Sequence, residues 1–485
     1  MRETIEEQNQ HIGRLMEDFV RRAVEFSNTL PDRPIRQPDP QEVMDYLQGE
    51  AIPAQGRPLE EVYGEMLEDV YRDILFPQHP RSFACIPSTA SLLSWMGDVM
   101  TNAFNPHASC QVNAPAANLI EKKLIGWMCG LAGYPQGSGG LFVSGGSIAN
   151  LTALTAARDA KLAGADRSRA RVYVSDQTHS SVAKGLHILG FNREQLRTIP
   201  TDRLFRMDVS CLRTAVEEDR QNGLFPFAVV ASAGTTNTGS VDPLKAIAGL
   251  CRQYHMWMHV DGAFGASALV SPRQRKELAG IELSDSLSWD AHKWLLQTYG
   301  CSVALVRDKS TLVNSFAAHP EYLKDAQASQ DSVEFWDLGP ELTRPARGLK
   351  LWLTLQVMGT QALGQAIDHG CLLALAAQER LEGNPEWQVV SPAHFGIVNF
   401  QFAPSKEAPD ATWDQINQEM AREVTATGFA QVYTTQLRGR TVLRLCAINP
   451  RTTPEDVLQT IQRLESTQAA ERGHRLTEEK GLQVG

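Results

Sequence analysis

A glycine- and serine-rich turn and a histidine are the first residues along the chain that could do chemistry. The turn contains Gly145, Gly146 and Ser147 and lies between a predicted strand and a predicted helix. Backbone N–H groups at the start of a helix, together with the helix dipole, form a site for a phosphate or another anion. His179, in SDQTHSSV, follows the next predicted strand, where its imidazole could stack flat against an aromatic ring.

An acidic residue and a lysine complete the set. Asp261 ends the apolar strand of HVDGAFG, and the small residues that follow, including Ala263, leave room for a flat ligand at the strand end. Lys293 stands between Trp289 and Trp294, and a lysine in apolar surroundings can attack a carbonyl carbon. A phosphate turn, a ring-stacking histidine, a carboxylate and such a lysine, in this order, are what pyridoxal 5′-phosphate (PLP) requires.

Each of these features has a simpler interpretation when it is taken alone. The turn could be an ordinary strand–helix connection capped by Ser147, His179 a satisfied loop residue, and Lys293 a lysine in a structural salt bridge. The nucleotide-binding patterns GxxxxGK[ST] and GxGxxG are absent from the sequence, and Ala149 replaces the last glycine of the serine-hydrolase pattern GxSxG. The prediction of a PLP site therefore rests on the joint occurrence of the four features.

The elements that must position these residues follow an alternating pattern. Helical stretches separate short apolar runs at 142–145, 171–176, 225–234, 257–263, 285–294 and 302–308. Unbroken apolar strands between helices are typical of a largely parallel sheet that is covered on both faces. We therefore predict an α/β fold for the central part of the chain.

The two ends of the chain differ from this central region. Residues 3–28 are predicted to form an amphipathic helix, and residues 1–85 are interpreted as a helical arm. Residues 86–375 are predicted to form the large domain, and residues 376–485, where strands and helices mix, a small α+β domain. The polar tail 468–485 is expected to fray.

The composition is that of a folded, acidic protein. The 485 residues include 46 lysines and arginines against 56 aspartates and glutamates, a net charge of −10, so a nucleic-acid partner, which needs a basic surface, is not expected. The sequence contains no apolar run of the roughly 18 residues that a membrane helix needs. Its polar start is not a secretory signal, so we expect a cytoplasmic protein without a membrane partner. The eight cysteines form no CxxC pair and predict no metal site.

At the residues described above, the sequence resembles the group II PLP-dependent decarboxylases, the family of aromatic-amino-acid, glutamate, histidine and cysteine-sulfinate decarboxylases. The resemblance covers nearly the whole chain and rests on HPRSFACIPS, NAPAANLIEKKLIGWM, SDQTHSSV, HVDGAFG, DAHKWL and RPARGLKLW. It implies fold type I of the PLP-dependent transferases, a mostly parallel seven-stranded sheet with helices on both faces. It also implies a homodimer, in which the arm and residues 100–115 complete the partner's active site.

The resemblance assigns roles to individual residues. It implies that Lys293 binds the aldehyde carbon of PLP, that His179 stacks on the ring, that Asp261 pairs with the ring nitrogen, and that Ala263 lies beneath the ring. The other implied cofactor-binding residues are Gly145, Gly146, Ser147, Thr236, Asp290 and His292. Asp290 stands where aromatic decarboxylases often have asparagine.

The resemblance implies decarboxylation of an L-amino acid to its amine and CO2. The polar stretch 309–335 resembles the family's mobile loop, and Tyr322 stands at the position of the tyrosine that returns a proton to the product carbon. Relatives with phenylalanine there form aldehydes oxidatively, so Tyr322 and His179 favour an ordinary decarboxylase. An aldehyde synthase or aminotransferase on the same fold is one alternative. A non-catalytic scaffold is another, and intact Lys293 and Asp261 argue against it.

The residues expected at the substrate indicate a pocket that is less aromatic and more polar than in aromatic decarboxylases. They are Cys85, Ile86, Pro87 and Ser88, His107 and Ser109 from the segment expected to reach the neighbouring subunit, and Arg347, which matches an arginine that orders the site. We expect an aromatic or other uncharged amino acid as the substrate. Acidic and diamino acids, such as glutamate, aspartate, cysteine sulfinate and 2,4-diaminobutyrate, are the alternatives.

Overall fold

Three helices form the N-terminal part of the chain. The computed structural model describes residues 5–36, 41–71, 74–86, 89–318, 333–404 and 410–481. Helix α1 (Ile5–Thr29) agrees with the predicted amphipathic helix, and α2 (Gln41–Gly49) and α3 (Leu59–Glu65) follow, the last continuing as a π-helical turn to Val70. Apolar side chains of α1 and α3 line a groove of about 240 Å3 between the two helices.

A seven-stranded mixed sheet forms the centre of the large domain. Its strands are β1 (Gly139–Val143), β2 (Ala170–Ser175), β3 (Leu196–Ile199), β4 (Phe225–Ser232), β5 (Trp257–Asp261), β6 (Ser286–Asp290) and β7 (Ser302–Val306). The strand order is β1-β7-β6-β5-β4-β2-β3. β7 is antiparallel to both of its neighbours, and the other neighbouring pairs are parallel. The predicted mostly parallel sheet is confirmed, although β3, with the mixed sequence LRTI, was not among the predicted strands.

Helices cover both faces of this sheet. They are α4 (Leu92–Phe104), α5 (Pro115–Leu131), α6 (Gly146–Leu162), α7 (Ser180–Ile188), α8 (Val209–Gln221), α9 (Leu244–Gln253), α10 (Ala291–Trp294) and α11 (Ser310–Phe316). Successive strand residues belong to different apolar clusters: Val229 packs with α8 and α9, whereas Val230 packs with α6 and α7. Because side chains alternate along a strand, the two clusters lie on opposite faces. The sheet is therefore buried between two helical layers, as predicted.

A long helix leads into the C-terminal domain. Helix α12 (Leu349–Glu382) has a local break at Gly359, whose φ of 73° suits glycine. A four-stranded antiparallel sheet of order β10-β11-β9-β8 follows. Its strands are β8 (Trp387–His394), β9 (Ile397–Phe402), β10 (Tyr433–Leu437) and β11 (Arg440–Cys446), and α13 (Asp410–Ala426) and α14 (Pro454–Glu465) pack on it. These elements form the predicted small α+β unit, and the proposed domain boundary at residue 375 falls inside α12.

Residues 468–481 of the C-terminal tail are more ordered than their sequence suggests. We expected it to fray, but α15 (Gln468–Gly481) is a helix whose Ala469 and Ala470 are fully buried in the small-domain core. The prediction was wrong because these small residues pack closely in spite of the polar sequence around them. Among the residues that the structure describes, no helix is both long and apolar enough to cross a membrane.

Candidate active site

The carboxyl ends of several parallel strands meet at one edge of the central sheet. There β4 ends at Ser232, β5 at Asp261 and β6 at Asp290, and α6 begins beside them at Gly146. These four residues take part in lining a cavity of about 350 Å3. Ligands of open α/β sheets bind at this edge, so the cavity is the candidate active site.

All ten residues predicted to bind the cofactor line this cavity. They are Gly145, Gly146, Ser147, His179, Thr236, Asp261, Ala263, Asp290, His292 and Lys293. They come from separate stretches of the sequence and meet because their strands are neighbours in the sheet. The structure thus brings the predicted set together.

Asp261 is buried, and three donors hold its carboxylate. Oδ1 accepts hydrogen bonds from the Ala263 backbone N–H (3.1 Å) and the Ser288 hydroxyl (3.1 Å), and Oδ2 accepts one from Asn150 Nδ2 (3.0 Å). Burial acts to raise the pKa of Asp261, but the nearby Lys293 ammonium and the hydrogen bonds outweigh it and lower this pKa below its ordinary value. Asp261 therefore presents a fixed negative charge to the cavity.

Asn150 connects Asp261 to a buried histidine. His259 Nε2 lies 2.9 Å from Asn150 Oδ1, and His259 Nδ1 lies 2.8 Å from the Ser286 hydroxyl oxygen. Because an amide oxygen can only accept, His259 Nε2 carries a proton and Nδ1 accepts from Ser286. Burial lowers the pKa of His259 to about 4, so the ring is neutral at pH 7, in agreement with this arrangement.

The same asparagine also reaches His179 through a serine. Asn150 Nδ2 donates to Ser181 Oγ (3.0 Å), which lies 2.8 Å from His179 Nδ1. Ser181 Oγ uses its own hydrogen toward His179, whose Nδ1 also accepts from the Ser181 backbone N–H (3.3 Å). Neutral His179 therefore carries its proton on Nε2. Asn150 thus fixes both the carboxylate of Asp261 and, through Ser181, the ring of His179.

Lys293 lies directly after β6 and is paired with an acidic residue. Its Nζ is 3.1 Å from Asp290 Oδ2, and its side chain is 24% exposed. His292 Nε2 lies 3.6 Å from the same carboxylate oxygen. The flanking Trp289 and Trp294 are both fully buried, as the expected apolar setting requires. An amine that lines the cavity is thus held in place by its neighbours.

The residues predicted at the substrate are less well represented in this cavity. Cys85 is exposed, Ile86 packs against the main apolar cluster, and His107 is half-buried, and none of the three lines the cavity. Three further predicted residues lie outside the described residues, namely Pro87, Ser88 and Tyr322. The substrate-binding roles of these residues stay predictions.

Ser109 and Arg347 are held by other parts of the same chain. The Arg347 guanidinium donates two hydrogen bonds to the Glu341 carboxylate, at 2.7 and 2.8 Å. Ser109 is buried, and its hydroxyl accepts from the Arg344 backbone N–H (3.1 Å). Neither side chain lines the cavity of a single chain, so the structure does not bring these two together with the cofactor residues.

Sequence reasoning missed several residues that line the cavity. They are Asn150, Gln177, Ser181, Ser232, Gly234, Thr235, Phe264, Tyr299 and Gly300. Asn150 could have been found, because it stands four residues after Gly146 and shares its helix face. Among the described residues, no group of three or more His, Cys, Asp or Glu side chains could hold a metal ion.

Comparison with known proteins identifies the family. A family model described as the pyridoxal-dependent decarboxylase conserved domain matches residues 40–403, well over half of the chain. The chain belongs to the pyridoxal-dependent decarboxylases. It is a PLP-dependent amino acid decarboxylase of fold type I, as the sequence resemblance implied.

The chain is similar to two named enzymes and one solved structure along most of its length. The chain is 39% identical to an aromatic-L-amino-acid decarboxylase of Bacillus atrophaeus over 91% of this chain and 92% of the relative. It is 31% identical to a phenylacetaldehyde synthase of Arabidopsis thaliana over 93% of each. Among solved structures, TDC of Oryza sativa with PLP and tryptamine is 29% identical and superposes with a TM-score of 0.89, over 96% of this chain and 98% of that one. The likeness therefore extends over nearly the whole decarboxylase.

The cavity of this decarboxylase fits the PLP cofactor. Helix α6 begins at its edge without a side-chain cap, which leaves the first-turn N–H groups for an anion. A Cβ atom on Gly146 would lie 2.8 Å from Asp290 Oδ2 and 3.1 Å from Ala263 Cβ. A side chain there would therefore fill the phosphate cradle, the space at the start of α6 that is bordered by Gly146, Ala263 and Asp290. With the Asp261 carboxylate and the Lys293 amine lining the same cavity, the donor set is the one that PLP needs.

Proposed function

We propose that this decarboxylase converts an aromatic L-amino acid into the corresponding amine and CO2. The observation that carries the proposal is the single cavity at the strand ends, where Lys293, Asp261 and His179 meet the start of α6. The similarity to an aromatic-L-amino-acid decarboxylase supports the aromatic substrate class.

Lys293 and the turn before α6 hold the cofactor in this proposal. When bound, PLP supplies an aldehyde carbon for an amine and a conjugated ring that can accept the electron pair left by departing CO2. Lys293 Nζ, which lines the cavity, would hold this carbon in the absence of substrate. Gly146 and Ser147 bind the phosphate through backbone N–H groups, aided by the dipole of α6.

Asp261 and His179 orient the ring and set its charge. The ionised Asp261 carboxylate, held by its three donors, favours a protonated ring nitrogen, which makes the ring a better electron acceptor. The His179 imidazole stacks on the ring, with its orientation fixed by Ser181. Tyr322, by its place in the family pattern, would return a proton to the substrate Cα.

The charges of the cavity support an uncharged substrate side chain. No arginine is found among the described residues that line the cavity, so the carboxylate of an acidic side chain would lack a bidentate partner there. The Asp261 carboxylate is already held by three internal donors, and Asp290 borders the start of α6. An aromatic side chain needs neither kind of partner.

We further propose a cytoplasmic homodimer with shared active sites. Large apolar side chains are exposed on α1, α4 and the segment beyond it, among them Ile12, Met16, Phe104 and Val112. A second copy of the chain would cover such a surface, and the predicted substrate residues His107 and Ser109 lie beside it in the sequence. All eight cysteines are free, which suits a reducing compartment.

A panel of L-amino acids tests the proposed reaction. The purified holoenzyme is given tryptophan, tyrosine, phenylalanine, DOPA, glutamate, cysteine sulfinate and 2,4-diaminobutyrate, and CO2, amine, aldehyde and peroxide are measured. We expect equal amounts of CO2 and amine, with kcat/KM for the best aromatic substrate about 100-fold above that for glutamate. Aldehyde and peroxide as the main products would instead identify an aldehyde synthase. A preference for an acidic or diamino acid would refute the aromatic assignment.

A further inference from the structure

Asp290 places an incompletely bonded carboxylate in the phosphate cradle. Its side chain is 2% exposed, and Oδ1 is buried without a hydrogen-bond partner. A Cβ atom built on Gly146, at the start of α6, would lie 3.0 Å from Oδ1 and 2.8 Å from Oδ2. The carboxylate therefore borders the space in which α6 would bind an anion.

The cations around Asp290 cannot keep it neutralised when the cofactor is bound. Lys293 Nζ pairs with Oδ2 at 3.1 Å, but this amine is the group that must bind the aldehyde carbon. Burial lowers the pKa of His292, which is 3.6 Å away, so this ring is neutral at pH 7. The charge of Lys350, on α12, also lowers the pKa of His292, and Lys350 Nζ is itself paired with Asp98 Oδ1 at 3.0 Å. Asp261 adds a further negative charge to the cavity.

A phosphate dianion and a carboxylate that border the same buried space repel each other unless a proton lies between them. Unit charges 4 Å apart interact appreciably even near a protein surface, and more when buried. A phosphate ester loses its second proton near pH 6 and a carboxylate accepts hydrogen bonds only when a donor faces it. One proton shared by phosphate and carboxylate turns the repulsion into a short, charge-assisted hydrogen bond.

We propose that Asp290 and the PLP phosphate share one proton, taken up from solvent on binding, and that Asp290 thereby weakens PLP binding as the pH rises. The inference rests on the proposed cofactor site. Asp290 is an affinity-limiting residue: it makes the cofactor easier to release in alkaline conditions than an uncharged side chain of the same shape would. No covalent bond changes in this step, and the proton returns to solvent when PLP leaves.

Substitution of Asp290 by asparagine tests the proposal through cofactor affinity. The apoenzyme is titrated with PLP by fluorescence from pH 6.5 to 8.5, for wild type, D290N and a surface control, D166N. We expect D290N to bind PLP about tenfold more tightly than wild type at pH 8.5, with a smaller advantage at pH 6.5, and D166N to follow wild type. Two results would overturn the inference. One is a ratio of the PLP dissociation constants of D290N and wild type that does not change with pH, and the other is weaker PLP binding by D290N than by wild type at every pH.

Phosphorus NMR of the wild-type holoenzyme measures the protonation state of the bound phosphate directly, and this measurement does not depend on whether the D290N variant folds. We expect the bound phosphate to keep the chemical shift of a protonated monoanion up to pH 8. A dianion shift at pH 7 would refute the shared proton. Borohydride trapping separates the two proposals: an adduct on Lys293 with a dianionic phosphate contradicts only the Asp290 inference, whereas the lack of any adduct on Lys293 contradicts the site itself.

Discussion

Replacing Asn150 with alanine is expected to destabilise the protein and to disturb the cofactor ring. The side chain is 1% exposed and makes three hydrogen bonds, to Asp261, Ser181 and His259. Its loss leaves the His259 Nε2–H without an acceptor, which costs about 1–3 kcal/mol, and removes a charge-assisted bond to Asp261 that contributes a further ~1.5–3 kcal/mol. Together these two losses are expected to lower the free energy of unfolding by about 2.5–6 kcal/mol.

A double-mutant cycle isolates the bond between Asn150 and His259. His259→Phe removes the donor that Asn150→Ala would leave unpaired. It also removes the hydrogen bond between His259 and Ser286, but this loss occurs in both the single His259→Phe variant and the double variant and therefore cancels. We expect the double variant to be about 1–3 kcal/mol more stable than the sum of the single effects predicts. Urea unfolding of the apoenzyme measures the four free energies.

The absorption spectrum of bound PLP in N150A tests the effect of Asn150 on the cofactor ring. Because the hydrogen bond from Asn150 helps to lower the pKa of Asp261, its loss raises this pKa and weakens the charge that favours a protonated ring nitrogen. The absorption of N150A with PLP should then change with pH over a range where wild type is constant. A coupling energy below about 0.5 kcal/mol, together with a wild-type spectrum, would refute the proposed network.

Three further predictions concern the site and the core. Lys293→Ala should lower kcat by at least about a thousandfold and abolish borohydride-trapped adducts, whereas exposed Lys184→Ala should do neither. Gly146→Ala should weaken PLP binding at least about tenfold, because the new Cβ would crowd Asp290; the control Gly249→Ala, where nothing lies within 4 Å, should bind normally in the same fluorescence titration. Burial lowers the pKa of His79 to about 4 in the folded protein. Between pH 6.5 and 4, this histidine therefore binds a proton in the unfolded chain but not in the folded one. The free energy of unfolding should therefore decrease as the pH is lowered from 6.5 to 4. Urea unfolding should show that this decrease is about 3 kcal/mol larger in wild type than in His79→Asn.

The cofactor residues could be predicted because each carries a local signal. Asp261 stands at the end of an apolar strand, Lys293 stands three residues beyond the end of another, and Gly146 stands where a strand turns into a helix. Strand ends of a parallel sheet meet at one edge whatever the order of the strands, so the residues come together without knowledge of the detailed topology. Local pattern and global fold agree at this site.

The supporting network could not be predicted in the same way. His259 points toward Asn150 only because β5 and α6 are packed together, and neither residue has a motif that marks the contact. The helix α15 was missed for a related reason, since its polar sequence hides the two alanines that pack into the small core. Pairings between distant segments are set by packing, which a single sequence does not display.

Helix α12 has a consequence for how the molecule comes apart. Beyond its break at Gly359, the helix runs on to Glu382 and contributes Leu363 and Ile367 to the core of the large domain, and then Leu373 and Leu381 to the core of the small domain. Neither core can lose its structure without exposing part of a continuous helix that the other needs. Heating should therefore melt both domains in one transition, so that the heat taken up matches the van't Hoff enthalpy of the whole chain, and a cut in α12 would be more damaging than a cut in a surface loop.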